Sequence, residues 1–390
     1  MNKLKIILIS NLSKSKGGAF IAALRIGKIL KKIYKVKILP ANDKNFYNKV
    51  KYYIAIILKR LIIGKTKYLN SLNIFSRVSF NEKDYDLLHL HWTGHEIISI
   101  DKLSKIDKPI LWTMHDMWVP NSTEHFLNNP SLKKYTINNI DNNFLKKIIF
   151  KKKKNLLKKK NIHLIANSKW LKNFTKKSDL TRYCNVNVIY NPIETNLWEK
   201  KNEKQSKKKL NLNVDKNYIL FGAHGGFSNI RKGGDLFIES LKQLKNISRK
   251  IEIIVIGGKI NSTETINNFK FHFRKLEENQ KIQNMYHSAS TLTVCPSRAE
   301  SLPQFIVETI LCENPVVSFD IGGIKEIVKH KINGFIERPF NTNNFAHGIK
   351  YCLDDIKKTN LIKARNNVKK LFNEKKILNE YKKIINKITK

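Results

Sequence analysis

Short apolar runs rich in Ile, Val and Leu recur along the chain, separated by longer stretches in which apolar residues return every three or four positions. Runs of the first kind, bounded by turn residues, are the mark of parallel strands buried on both faces. The longer stretches are helices laid over them. In the first half this pattern predicts strands at Lys5 to Ile9, Val36 to Leu39, Leu87 to His91, Ile110 to Thr113, His163 to Ala166 and Val186 to Tyr190. In the second half it predicts strands at Tyr218 to Gly222, Ile251 to Gly257, Thr291 to Cys295 and Val316 to Phe319. Two successive Rossmann-like α/β units follow, with a ligand cleft expected between them. Asn191-Pro192 breaks regular structure after Tyr190 and the charged stretch Glu199 to Lys209 opens the second unit, so the hinge is expected there. The expected division is 1–192, 193–365 and a C-terminal helix at 366–390.

One helical stretch is apolar on more than one side. Between Phe46 and Ile63, Phe46, Val50, Tyr53, Ile54, Ile57, Leu58 and Leu61 share a face expected to pack on the core. The other side mixes Lys49, Lys59 and Arg60 with Tyr52, Ile56 and Ile63, a combination that suits a lipid headgroup layer. Burial on both sides is an equal alternative. Leu145 to Leu157 is a second run of basic and apolar residues. No uninterrupted apolar stretch reaches the ~18 residues of a spanning helix, and Ile6 to Ile9 is too short for a signal-peptide core.

The formal charge of +43 over 390 residues makes nucleic acid, an anionic membrane or a phosphate-rich substrate natural partners. Lys, Ile and Asn are abundant throughout, however, so compositional bias is an equal alternative account of the charge, and no nucleic-acid-binding motif is present. Cys184, Cys295, Cys312 and Cys352 stand too far apart for a zinc site or a disulfide framework, which fits a reducing, cytoplasmic setting.

The candidate chemistry follows the predicted strands. Pro296-Ser297-Arg298-Ala299-Glu300-Ser301-Leu302-Pro303 leads into a helix carrying Glu308. With Pro303 at the first helical position, the N–H groups of that turn favour a phosphate. Glu300 and Glu308 can accept hydrogen bonds from a sugar and from a ribose diol. Alone, such a pair of acids is more often a helix-start acid and a solvated surface residue. Earlier, Phe221-Gly222-Ala223-His224-Gly225-Gly226 precedes Arg231-Lys232-Gly233-Gly234-Asp235, where glycines allow close approach and two cations suit a diphosphate. Gly17-Gly18 follows the first strand, and His115 lies in Trp112-Thr113-Met114-His115-Asp116-Met117-Trp118. His89 and His91 are expected to be packed strand residues.

The run from Ile282 to Gly334 includes Pro296-Ser297, Glu300, Leu302-Pro303, Glu308, Pro315-Val316-Val317, Gly322-Gly323 and Asn333-Gly334. It resembles the C-terminal half of glycosyltransferase family 4, retaining enzymes of GT-B fold. The Leu302-Pro303 variant and the segments around His91 and His115 resemble the bacterial exopolysaccharide and colanic-acid-type branch. Asn167-Ser168-Lys169 and Asn191-Pro192 also match landmarks of the family.

That resemblance implies a donor site of Gly17, Gly18, Arg231, Lys232, Leu302 and Glu308, with His115 and Glu300 beside the reacting sugar. Residues 1–192 become the acceptor-side domain and 193–365 the nucleotide-sugar domain. The implied reaction is metal-independent and cofactor-free transfer of a hexose from a UDP- or GDP-sugar to a glycan or lipid-linked acceptor, in cell-surface polysaccharide synthesis. An anionic membrane is a further partner, and nucleic acid is disfavoured. Alternatives are a basic nucleic-acid-binding protein and a GT-B protein that binds a sugar nucleotide without catalysis. Departures from the family pattern are Gly222-Ala223 in place of Gly-Arg, Glu313-Asn314 in place of Gly-Thr, and a segment Asn121 to Phe126 that keeps only His125.

Overall fold

The computed structural model describes residues 3–10, 17–39, 45–64, 69–127, 143–247 and 250–390. The chain divides into two units, residues 1–193 together with 374–390, and residues 194–373.

The predicted apolar runs of the first unit form one parallel sheet. Its strands are β1 (Lys5–Ile9), β2 (Lys35–Leu39), β3 (Leu87–Leu90), β4 (Ile110–Met114), β5 (Ile162–Ala166) and β6 (Asn185–Val188), in the order β2-β1-β3-β4-β5-β6. The central strands β3 and β4 are buried at every position, whereas the edges β2 and β6 are partly exposed, as their mixed sequences require. Around them lie α1 (Gly18–Leu30), α2 (Phe46–Ile63), α3 (Ile100–Ser104), α4 (Phe144–Leu157) and α5 (Lys169–Lys177).

The second sheet has β7 (Asn217–Gly222), β8 (Ile251–Gly258), β9 (Ser262–Ile266), β10 (Phe269–Lys275), β11 (Leu292–Cys295), β12 (Val316–Phe319) and β13 (Gly334–Glu337). They run in the order β13-β12-β11-β7-β8-β10-β9. The accompanying helices are α6 (Glu203–Lys209), α7 (Gly234–Leu241), α8 (Gln280–Ala289), α9 (Gln304–Leu311), α10 (Ile324–Ile327), α11 (Thr342–Asp354) and α12 (Lys358–Leu371). The sequence pattern did not predict β9, β10 or β13. β9 and β10 form an antiparallel hairpin whose two-residue turn, Asn267-Asn268, takes φ of 50° and 68°, the left-handed pair that hairpin turns require.

The last helix, α13 (Glu374–Ile388), belongs to the first unit. Ile377, Tyr381 and Ile385, one face at a spacing of four, are fully buried beside Ile6, Leu87, Leu111 and Ile165 of the sheet. Each contributes about 1.5–3 kcal/mol of burial. The C-terminal stretch 366–390 holds the end of α12 and the whole of α13. α12 ends at Leu371, with Val368 and Phe372 buried in the second unit, and the apolar face of α13 starts afresh.

The expectation for α2 is reversed. Phe46, Val50, Tyr53, Ile54, Ile57 and Leu61, expected on the core, are exposed, Phe46 by 74% and Leu61 by 77%. Ala55 is the buried contact, Tyr52 stacks on the Arg77 guanidinium at 4.8 Å, and Asn48 Nδ2 donates to the Arg77 carbonyl. In a helix with two apolar sides these polar contacts select the inward face.

Candidate functional site

In the second sheet the chain passes from β7 to β8 on one side and returns with β11 on the other. The β7 and β11 ends thus flank a topological switch point, the place where ligands collect in open α/β sheets. The loop after β7 carries Arg231 and Lys232, and the loop after β11 carries Glu300. Glu300 Oε1 accepts from Lys232 Nζ at 2.6 Å and from Arg231 Nη1 at 3.0 Å, while the same Arg231 Nη1 donates to the Ala299 carbonyl at 2.9 Å. Burial alone would raise the Glu300 carboxyl, but Lys232 and Arg231 outweigh it and hold it below the ordinary carboxylate value.

Two glycines let these loops meet. Gly233 has φ of 72°, and a Cβ there would lie 2.0 Å from the Pro296 carbonyl oxygen; a Cβ on Gly322 would lie 2.0 Å from that of Glu300. Arg298 ties the loops further, its backbone N–H donating to Arg231 O at 2.7 Å and its guanidinium gripping Asp235 at 2.7 and 2.5 Å. Leu302 is buried in the same loop, and Glu308 is a buried residue of α9. Pro303 occupies the N-cap of α9 rather than the first helical position expected for it, and no side chain caps that helix. At the other end Glu313 adopts φ of 57°, a conformation that favours glycine, and pairs with Arg365 at 3.1 Å.

His224 was not singled out from sequence. It sits close enough to Lys232 and Arg231 that burial first, and then their charges, lower its pKa. Its place between β7 and two glycines was the available signal.

In the first unit β1 and β3 flank the corresponding switch point. Gly17 is the N-cap of α1 with φ of −71°, and neither Gly17 nor Gly18 has a described atom within 4 Å of an added Cβ. Packing among the described residues therefore imposes no glycine at either position. His115, just past β4, stacks on His91 with ring centroids 5.3 Å apart, and His115 Nε2 and His91 Nδ1 are 3.0 Å apart in a hydrogen bond. Burial lowers the His115 pKa to about 4 despite the nearby Asp116 carboxylate, so His115 is neutral near pH ~7. His89 bonds Thr113 Oγ1, which in turn bonds the Tyr381 hydroxyl.

His91 is thus more than a packed strand residue, because it directly positions His115. Beside this pair, Asp116 Oδ2 accepts from Trp92 Nε1 at 2.7 Å and bonds His125 Nδ1 at 2.6 Å, while His125 Nε2 bonds Ser71 Oγ at 2.8 Å. A small pocket is lined in part by His91, Trp92, His115 and Asp116. Ser168 caps α5 by accepting from Leu171 N–H, a structural role.

Residues 202–370 match the family model described as Glycosyl transferases group 1. Among curated proteins, an uncharacterized glycosyltransferase of Methanocaldococcus jannaschii is 28% identical over 185 residues, 44% of this chain and 45% of that protein. D-inositol 3-phosphate glycosyltransferase 1 of Catenulispora acidiphila is 22% identical over 197 residues, 46% of each chain. The matched segments span less than half the length of these relatives. Among solved structures, sucrose-phosphate synthase from Thermosynechococcus elongatus aligns with a TM-score of 0.73 at 16% identity, over 99% of both chains. HepE of Anabaena, in complex with UDP and glucose, aligns with a TM-score of 0.65 at 18% identity, over 98% of this chain and 99% of that one. The fold is GT-B, two Rossmann-like α/β domains with a C-terminal helix. The matched family model and the named relatives are all glycosyltransferases.

Proposed function

We propose that the protein is a retaining glycosyltransferase that moves a hexose from a nucleoside diphosphate sugar to a hydroxyl of a glycan or lipid-linked acceptor. The setting would be cell-surface polysaccharide synthesis at the cytoplasmic face of a membrane. The observation that carries this reading is the pairing of Lys232 and Arg231 with the buried, ionised Glu300 at the switch point of the second unit.

Two cations suit the charge that develops on a departing diphosphate, and their counter-charge is a carboxylate able to accept from a sugar hydroxyl. In the transfer the bond from the anomeric carbon to the diphosphate oxygen breaks. The acceptor oxygen bonds that carbon, and the acceptor proton leaves with the diphosphate. Lys232 and Arg231 would stabilise the leaving group, Glu308 would accept from the ribose hydroxyls, and neutral His115 would hold the donor sugar. Gly17 and Gly18 would admit the donor backbone-close, and Leu302 would pack beside it. The scheme calls on no metal and no cofactor. HepE, which shares the fold, is described with UDP and with UDP-glucose, so UDP-sugars head the set of donors to try.

Thermal unfolding of the full chain against a panel of UDP- and GDP-sugars tests the reading. A rise in Tm is expected with one base, lost in Lys232→Ala. A flat response to every nucleotide sugar would overturn it.

A further inference from the structure

We infer that the outward face of α2 is a docking surface for an anionic lipid bilayer. Seven large apolar side chains exposed on the protein, Phe46, Tyr47, Val50, Tyr53, Ile54, Ile57 and Leu61, lie on this one helix. At about 100° per residue they fall on a single continuous arc. Exposed Lys49 and Arg60 border that arc on one side and half-buried Lys51 on the other. α2 contains no acidic residue. Next to it α4, which packs against α2, turns Phe144, Lys147 and Lys151 to the surface. A stripe of large apolar groups flanked by cations matches the boundary between acyl chains and anionic headgroups.

Charge selects among occupants. A second copy would bring two strongly basic surfaces together, and the formal charge of +43 opposes that. A nucleic acid would leave the apolar arc unmatched. Four cations on α2 forbid spanning, and no helix of the described residues is long and apolar enough to cross a membrane, so α2 would lie in the plane of the interface. The inference rests on the membrane location in the proposed function and not on the transfer chemistry.

The test is co-sedimentation of the full chain, without donor, with vesicles of phosphatidylcholine alone or of equal parts phosphatidylcholine and phosphatidylglycerol. Binding is expected only to the anionic vesicles. Ile57→Glu combined with Leu61→Glu should lower it about ten-fold or more, since each change withdraws a large apolar group from the interface. Lys49→Glu combined with Arg60→Glu should lower it about five-fold per cation or more. Reversing the exposed Lys208 and Lys209 of α6 should leave binding within a factor of about two, as those residues belong to neither α2 nor α4. Equal loss in that control would mean binding by net charge and would overturn the inference. So would binding to neutral vesicles, absence of binding, or self-association in sedimentation velocity that the α2 variants abolish. All these side chains except Lys51 are exposed, so the variants should fold. Unchanged donor-induced Tm shifts in the α2 variants would keep a failure here separate from a failure of the donor site.

Discussion

Both units place candidate residues in loops after the carboxyl ends of strands, and the charges gathered there differ. In the second unit the site is charged: two cations converge on one carboxylate oxygen and keep it ionised despite burial. In the first unit the candidate histidines are neutral, with the Asp116 carboxylate beside them. His89 and His91 are buried and His115 half-buried, their rings in consecutive contact, and burial holds all three well below their ordinary titration range. The contrast suits a division of labour, in which one unit handles phosphate charge and the other offers uncharged hydrogen-bonding groups to a sugar.

The sharpest way to break this contrast is Lys232→Ala. Transfer should fall by about 10²–10³, the loss typical of removing one preorganised group from a developing anion. Steady-state kinetics would show it in kcat more than in KM, and a change confined to KM would place Lys232 with ground-state binding alone. Glu308→Ala probes the same unit away from the reacting bond. It should weaken donor binding by about 1.5–3 kcal/mol, the usual worth of hydrogen bonds to a charged group, with turnover at saturation little altered. Calorimetry with the cognate donor checks it.

Acid should act on the neutral site before the charged one. The folded pKa of His115 is about 4 and that of His89 about 3, against 6.5 ordinarily. Between those values the unfolded chain binds protons that the folded chain does not. The stability tied to these residues is therefore complete above about pH 6.5 and is lost as pH falls, with about 2 kcal/mol per histidine at stake by about pH 5. Glu300, whose pKa is depressed, gives up its contribution only below the ordinary carboxylate value of 4.5. Trp92, Trp112, Trp118 and Trp170 are in the first unit and only Trp198 in the second, so tryptophan fluorescence reports mainly on the first. Its acid transition should precede loss of hydrogen-exchange protection in β7 and β11.

The smallest effect on stability should come from Gly18→Ala. A Cβ there meets no described atom, and alanine gains up to about 1 kcal/mol of helix propensity, so Tm should hold or rise. If the glycine pair exists to admit a ligand, donor affinity should nonetheless fall.

What could be read from sequence follows from what decides each feature. Strands such as Val316–Phe319 are apolar on both faces and announce themselves. β10 alternates Phe269, Phe271 and Phe273 with Lys270, His272 and Arg274, a pattern unlike the uniformly apolar runs of the central strands, and the Asn267-Asn268 turn is the local mark of its hairpin. The grouping of Arg231, Lys232 and Glu300 was legible because each follows a predicted strand, the two cations among glycines and Glu300 just ahead of a helix that begins after Pro303. The partnership of His91 with His115 was not, because it depends on the register that pairs Leu90 with Trp112 across β3 and β4. The outward face of α2 was illegible for a related reason: two apolar sides carry no sign of which one turns in.

The return of α13 to the first sheet has a consequence for synthesis. A ribosome delivers β1 to β6 first, yet Ile377, Tyr381 and Ile385 complete the core on one side of that sheet only after the whole of residues 194–373 has emerged. The usual order, in which the amino-terminal domain matures before the next one is made, is closed to this chain. On stalled nascent chains ending at Asn373, protease resistance should be reached first by residues 194–373. The amino-terminal sheet would stay labile, a client for chaperones until α13 has emerged.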